Sequence, residues 1–258
     1  MKFENTEVYG FESALRGMRN PMNSWDKSDS SYCVTSISES SSHCSTCPMN
    51  SGCTGSNKDI ETRYIIGKND MALAQKLIRA GSEHRKFMRQ IFVSVDITAP
   101  LYWWKEFDTY KVGTVANSTS TMHKLANTPI TFDCFETDDY DREWIFNKSL
   151  MEYSIESYIF GADGLVDFLE SLRKNYILTK DKKYWKELIR WLPESWLQTR
   201  TVTMSYENLL AMCSKGQRRF HKLNEWSGQD DNTKPNFISW ARTLPYAQEL
   251  IFIDEVEE

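Results

Sequence analysis

Apolar residues first recur at helical spacing from Asn69 onward, where Met71, Ala74, Leu77 and Ile78 share one face. Asn69 or Asp70 can cap that helix, and Gly81 can end it. The period then shortens to two. Val93, Val95 and Ile97 alternate with Ser94 and Asp96, which predicts a strand over 92–97. Pro100 suits a helix start, so residues 101–109 are predicted helical. Residues 147–178 form an aromatic-rich helical segment, with Gly161 and Gly164 as breaks. Asp181 caps a further helix with Tyr184, Leu188 and Trp191 or Leu192 on its apolar face, stopped by Pro193. Residues 200–206 predict a strand, and the remainder reads as short helices. No repeat of solenoid period interrupts this order. The mixture predicts an α+β fold in a single domain spanning 1–258.

Two segments fall outside the periodic pattern. Residues 1–25 mix aromatic and apolar positions with Arg16, Arg19, Pro21 and Trp25, and read as ordered. Residues 26–58 are rich in Ser, Thr, Asn and Gly and carry four cysteines, which marks a loop or insertion.

Composition narrows the class. With 40% hydrophobic and 26% charged residues, a folded core is expected rather than disorder. A net charge of -5 argues against general affinity for polymeric nucleic acid. No run of about 18 apolar residues occurs, so no membrane span is expected. The N-terminal MKFENTEVYGFES lacks the apolar core of a signal peptide, which points to a cytoplasmic protein. In that compartment the six cysteines are reduced, metal-bound or buried.

Four stretches hold candidate chemistry. Cys33, Cys44, Cys47 and Cys53 are spaced C-x10-C-x2-C-x5-C with His43 beside Cys44, a set that holds a structural zinc or stays as free thiols. GSEHRKF (81–87) places Glu83 and His84 before a strand, either facing a ligand or forming a solvated turn. LYWWKEFDTYKVGTVANSTSTMHKL (101–125) supplies Lys105, Lys111, Tyr110, Asn117, Ser118 and Ser120. Those are donors suited to a phosphate and a pyrimidine edge. Within it Trp103 and Trp104 either offer faces to a flat ring or fill the core. RRFHKLNEW (218–226) clusters Arg218, Arg219, His221 and Lys222, fit for an anion or for a solvated helix face paired to Glu225. Neither G-x-G-x-x-G nor a P-loop is present, and G-x-S-x-G is missing.

In this order Glu83-His84, APLYWWKEFDTYKVGTVANSTSTMHKL, TVTMSYENL and RRFHKLNEW resemble the flavin-dependent thymidylate synthases, the ThyX family. The likeness is greatest to a divergent phage- and Firmicutes-type branch, which RGMRNPMNSWDKSDS also fits, and it covers most of the chain outside the Cys-rich insertion. The family signature R-H-R-x-x-S-x-N-E-x-S-x-R-Y falls on Thr109, Tyr110, Lys111, Thr114, Asn117, Ser118, Ser120, Met122 and His123, with a one-residue slip. Lys111 keeps one cation and Asn117 and Ser120 are retained, while the first and closing arginines are lost.

The resemblance implies a ThyX-like domain with a mixed or antiparallel sheet surrounded by helices. It implies reductive methylation of dUMP to dTMP, with FAD, NADPH and methylenetetrahydrofolate and no cysteine nucleophile. It implies a homotetramer whose sites form between subunits, in the cytoplasm of a bacterium or phage-infected host. Residue by residue, Arg218 takes the place of the Arg that polarises the uracil. Glu106, Lys111, Asn117, Ser118, Ser120, His123, Arg190 and His221 fall to the nucleotide. Glu83, His84, Tyr110, Lys111, Ser205 and Glu207 fall to the flavin, although the N-x-R-x-L flavin motif has both polar ligands changed at Ser205 and Glu207. Two alternatives remain. One is a flavin enzyme that adds another one-carbon group, such as hydroxymethyl. The other is a non-catalytic, zinc-stabilised binding protein on the same fold.

Overall fold

A computed structural model describes residues 1–32, 64–138, 162–214 and 220–255, apart from the side chains of His123, Ala162 and Asp163. Four strands form one sheet in the order β1 (Lys2–Tyr9), β4 (Phe92–Pro100), β6 (Leu197–Ser205), β5 (Val115–Ser118). Side-chain pairs fix the register of the central strands. Ser94 meets Thr203 at 3.5 Å, Asp96 accepts from Thr201 at 2.6 Å, and Thr98 meets Thr199 at 2.7 Å. As one strand ascends the other descends, so β4 and β6 are antiparallel. The alternation read from 92–97 is real: Val93, Val95, Ile97 and Ala99 are fully buried, while Ser94, Asp96 and Thr98 on the opposite face are half-buried. The fold is α+β with antiparallel sheets.

The described residues cluster into two compact units, and β4 and β6 contribute to both. The first comprises Ile97–Asp108 and Asn117–Arg200, with Met1. Its helix α3 (Leu101–Phe107) starts after Pro100, where the fixed φ and missing N–H of proline cost a helix nothing. Trp103, Trp104 and Phe107 are all buried, and their rings lie 5.0–5.4 Å apart. The tryptophan pair is therefore core, not a stacking platform. Trp104 donates its indole N–H to the Gln198 carbonyl at 2.9 Å, and the Arg200 guanidinium lies 4.2 Å from its ring centroid. Asp108 accepts from Arg200 at 3.0 Å.

Helices α4 (Ala162–Thr179) and α5 (Lys182–Arg190) complete this unit around Leu125, Ile130, Phe135, Leu169 and Leu188. Asp181 caps α5 as the sequence predicts, accepting from the Lys183 amide at 3.0 Å. Arg173 ties α4 to the preceding loop. It donates to Glu170 at 2.7 Å and to the Ala126 carbonyl at 3.1 Å, while Glu170 accepts from the Ile130 amide at 2.8 Å. Hydrogen bonds from Arg173 lead the pull that lowers the Glu170 carboxyl from about 4.5 to about 2. The stabilisation from this charged carboxylate is complete above the unfolded value and lost as pH falls toward 2. Arg173→Gln is expected to cost about 2 kcal/mol at neutral pH. It should also flatten the fall of Tm between pH 4.5 and 2, and parallel Tm–pH curves for the two proteins would assign that fall to other groups.

The second unit comprises Lys2–Asp96, Thr109–Ala116 and Thr201–Glu258. It holds α1 (Phe11–Arg19), α2 (Lys68–Arg79), α6 (Tyr206–Cys213) and α7 (Phe237–Arg242). Gly10 precedes α1 at φ +97°, and a Cβ there would stand 2.1 Å from the Gln90 carbonyl oxygen, so only glycine fits. Helix α2 begins at Lys68, ahead of the predicted caps. Its first-turn amides at Asn69 and Asp70 instead donate to the carboxylate of Asp29, about forty positions upstream, at 2.8 and 3.0 Å. Asp70 itself is fully buried, accepting from Arg19 at 2.5 Å, Ser28 at 2.6 Å and the Ser30 hydroxyl at 2.5 Å. Beside this network β2 (Ser31–Tyr32) pairs antiparallel with β3 (Tyr64–Ile65), Ser31 opposite Ile65 and Tyr32 opposite Tyr64. The two tyrosine rings meet edge-on at 5.1 Å.

No helix among the described residues is long and apolar enough to cross a membrane.

Candidate functional site

Strand β6 ends and α6 begins at Ser205, and that junction organises the candidate site of the second unit. The Ser205 hydroxyl accepts from the Asn208 amide at 3.2 Å, and the Asn208 side chain accepts from the Ser205 amide at 3.0 Å. This is a capping box with Asn in place of the usual Glu or Gln. Asn208 also donates to the Val112 carbonyl at 2.7 Å, fixing the 109–113 segment against the start of α6. Tyr206 anchors the turn: its amide donates to Ile91 at 2.9 Å and its buried hydroxyl to Pro245 at 2.6 Å. Ser205→Ala is expected to cost about 1 kcal/mol in chemical unfolding. Ser205→Asp, which restores an acceptor, should recover most of that loss.

Glu207 in the first turn of α6 accepts from both Arg85 and Arg89. Burial pushes its carboxyl upward, but hydrogen bonds and charge from Arg89 and Arg85 outweigh it, and its pKa lies below the ordinary value. Two guanidiniums against one carboxylate leave a local excess of one positive charge. Arg85 directly follows the Glu83-His84 turn. There the exposed His84 donates its amide to the Gly81 carbonyl at 3.0 Å, and Glu83 pairs with Lys86 at 3.7 Å.

A ring cluster lies in the same unit. Tyr110 meets the buried Trp226 at 5.5 Å between centroids, and His221 meets it at 5.4 Å. The Nδ1 atom of His221 accepts from the Leu223 amide at 3.1 Å, which orients the imidazole. Trp226 thus joins two predicted site residues that lie over one hundred positions apart in the chain. The side chain of Lys111 is exposed, and its carbonyl accepts from Thr114.

The second unit therefore holds Glu83, His84, Tyr110, Lys111, Ser205, Glu207 and His221. The first unit holds the others: half-buried Glu106 on α3, exposed Asn117 and Ser118 on β5, half-buried Ser120, and Arg190 at the end of α5. Arg190 is paired to Glu187, one turn earlier on its own helix. Arg218, Cys33, Cys44, Cys47 and Cys53 lie outside the described residues, as does the His123 side chain. Among the described residues no group of three or more His, Cys, Asp or Glu is placed to hold a metal ion. Sequence reading missed Asn208 and Arg89 as organisers of the site. Ser205-x-x-Asn208 was the available signal for the first, and nothing local marks the second.

No family model and no curated protein matches the sequence. Solved structures do match. The flavin-dependent thymidylate synthase ThyX from Helicobacter pylori, complexed with FAD and dUMP, is similar over 98% of this chain and 99% of its own. The TM-score is 0.54 at 12% identity. A second Helicobacter pylori Thymidylate Synthase X structure with FAD and dUMP matches over 100% of both chains, with a TM-score of 0.54 and 13% identity. The chain has the ThyX fold.

Proposed function

We propose that this protein is a flavin-dependent enzyme that methylates dUMP to dTMP, drawing on NADPH and methylenetetrahydrofolate. The observation that carries the reading is the end-to-end likeness in fold to structures holding FAD and dUMP. The local residues are compatible with an anionic, flat-ringed cofactor. Arg89 presents an exposed guanidinium beside Glu207, and the Tyr110 and His221 rings are half-buried on Trp226. In this reading Glu83, His84, Tyr110, Lys111, Ser205 and Glu207 line the flavin side. Lys111, Asn117, Ser118, Ser120, His123, Glu106, Arg190 and His221 serve the nucleotide. Arg218 donates to the uracil and makes it electrophilic. A flavin held there and reduced by NADPH would supply the hydride that reduces the transferred one-carbon unit. The resemblance to ThyX implies sites completed between the subunits of a homotetramer.

The visible spectrum of the purified protein tests this. Flavin bands that appear with FAD and shift on adding dUMP are expected. A protein that takes up neither would replace the enzyme with a binding protein, stabilised by zinc on Cys33, Cys44, Cys47 and Cys53. The loss of the first and closing arginines of the signature, at Thr109 and Met122, motivates a second reading, transfer of a different one-carbon group such as hydroxymethyl. The mass of the nucleotide product separates the two: a gain of one methyl supports thymidylate, and an added oxygen supports the alternative.

A further inference from the structure

Away from the ring cluster, the second unit contains a cavity of about 420 Å³. That size lies within the range of small-molecule sites. Its lining combines apolar Ile78, Leu210 and Ile253 with polar Arg79, Arg85, Ser214 and Asp254. Leu210, Ala211 and Ser214 follow Glu207 at helical spacings of three, four and seven, so the cavity continues the face on which Glu207 stands.

Arg85 decides what the cavity suits. It is half-buried and gives its Nε–H to Glu207 at 3.3 Å. Its four remaining N–H groups have no partner among the described residues. A guanidinium removed from bulk water with unused donors favours an oxyanion, and Glu207 holds it in place. We propose that this cavity binds a small organic anion, distinct from flavin and dUMP. Its carboxylate or phosphate accepts from Arg85, and its apolar body rests on Ile78, Leu210 and Ile253.

Calorimetric titration of the flavin-free full chain with inorganic phosphate, 4-aminobenzoate and AMP tests the proposal. Saturable binding of an organic anion is expected, with inorganic phosphate about tenfold weaker for want of an apolar body. Tighter 4-aminobenzoate assigns a carboxylate ligand and tighter AMP a phosphate, and either supports the site. Arg85→Gln should weaken binding by about tenfold or more through loss of a charged donor. Ala211→Phe, which fills the cavity and leaves every charge in place, should do the same. Arg79→Gln on the exposed rim stands in if either variant fails to fold. Three results overturn the proposal: no probe binds, phosphate binds as well as the organic anions and ignores Ala211→Phe, or prior saturation with FAD abolishes binding. The last would make the cavity part of the flavin site. Because the titration needs no turnover, its failure is separate from failure of the proposed reaction.

Discussion

Asp70→Ala should destabilise the protein by about 3–5 kcal/mol, because it leaves a buried guanidinium without its carboxylate. Arg19 is 5% exposed and Asp70 fully buried, so water replaces little of what is lost. The deletion also removes the acceptor for Ser28 and for the Ser30 hydroxyl and amide. A loss of that size is a large part of the 5–15 kcal/mol that typically separates folded from unfolded chains. Burial pushes the Asp70 carboxyl upward, but Ser28, Ser30 and Arg19 together pull it below its ordinary 3.8. Its contribution is thus present above pH 3.8 and disappears as pH falls through the lower folded-state value. Urea unfolding at neutral pH measures the difference. A change under about 1 kcal/mol would show that Arg19 finds another partner or reaches solvent.

Arg218→Ala should lower turnover of dUMP by a factor of about 10²–10³, the usual loss when one electrophilic donor is removed. Flavin uptake and thermal stability should persist. That separation distinguishes a role in polarising the base from one in folding or cofactor retention. Product formation followed by mass, beside the flavin spectrum of the same sample, reads both at once. Full activity in the variant would remove Arg218 from the mechanism and shift attention to Lys111 and His221.

Local pattern was enough for the central elements. The alternation at Val93, Val95 and Ile97 gave β4, and the spacing of Met71, Ala74, Leu77 and Ile78 gave α2, because each element buries one face and the period records it. What local pattern lacks is the identity of distant partners. The cap of α2 comes from Asp29, so Asn69 and Asp70, good capping types, sit inside the helix. Strand β1 is almost wholly exposed along its length, and its residues show no buried face for a period to mark. Trp103 and Trp104 suit a stacking surface and a core equally by type, and only the packing of Phe107, Gln198 and Arg200 decides for the core. Glu207 illustrates the limit within the site. In the sequence it is an isolated acidic residue, and only the fold brings Arg85 and Arg89, far away in sequence, around it.

The short ribbon of β2 and β3 bears on how this chain tolerates change. With Tyr32 opposite Tyr64, the two ends of the intervening Cys-rich stretch leave the body at neighbouring points. Partners in such a ladder stand about 5 Å apart whatever connects them. Lengthening a connection between fixed ends is cheap, about 0.6 kcal/mol for each doubling. The ribbon therefore works as a graft point. A turn of a few residues, a foreign metal-binding loop or an affinity tag could replace residues 33–63 while Asp29, Ser30 and Asp70 keep their bonds to the body.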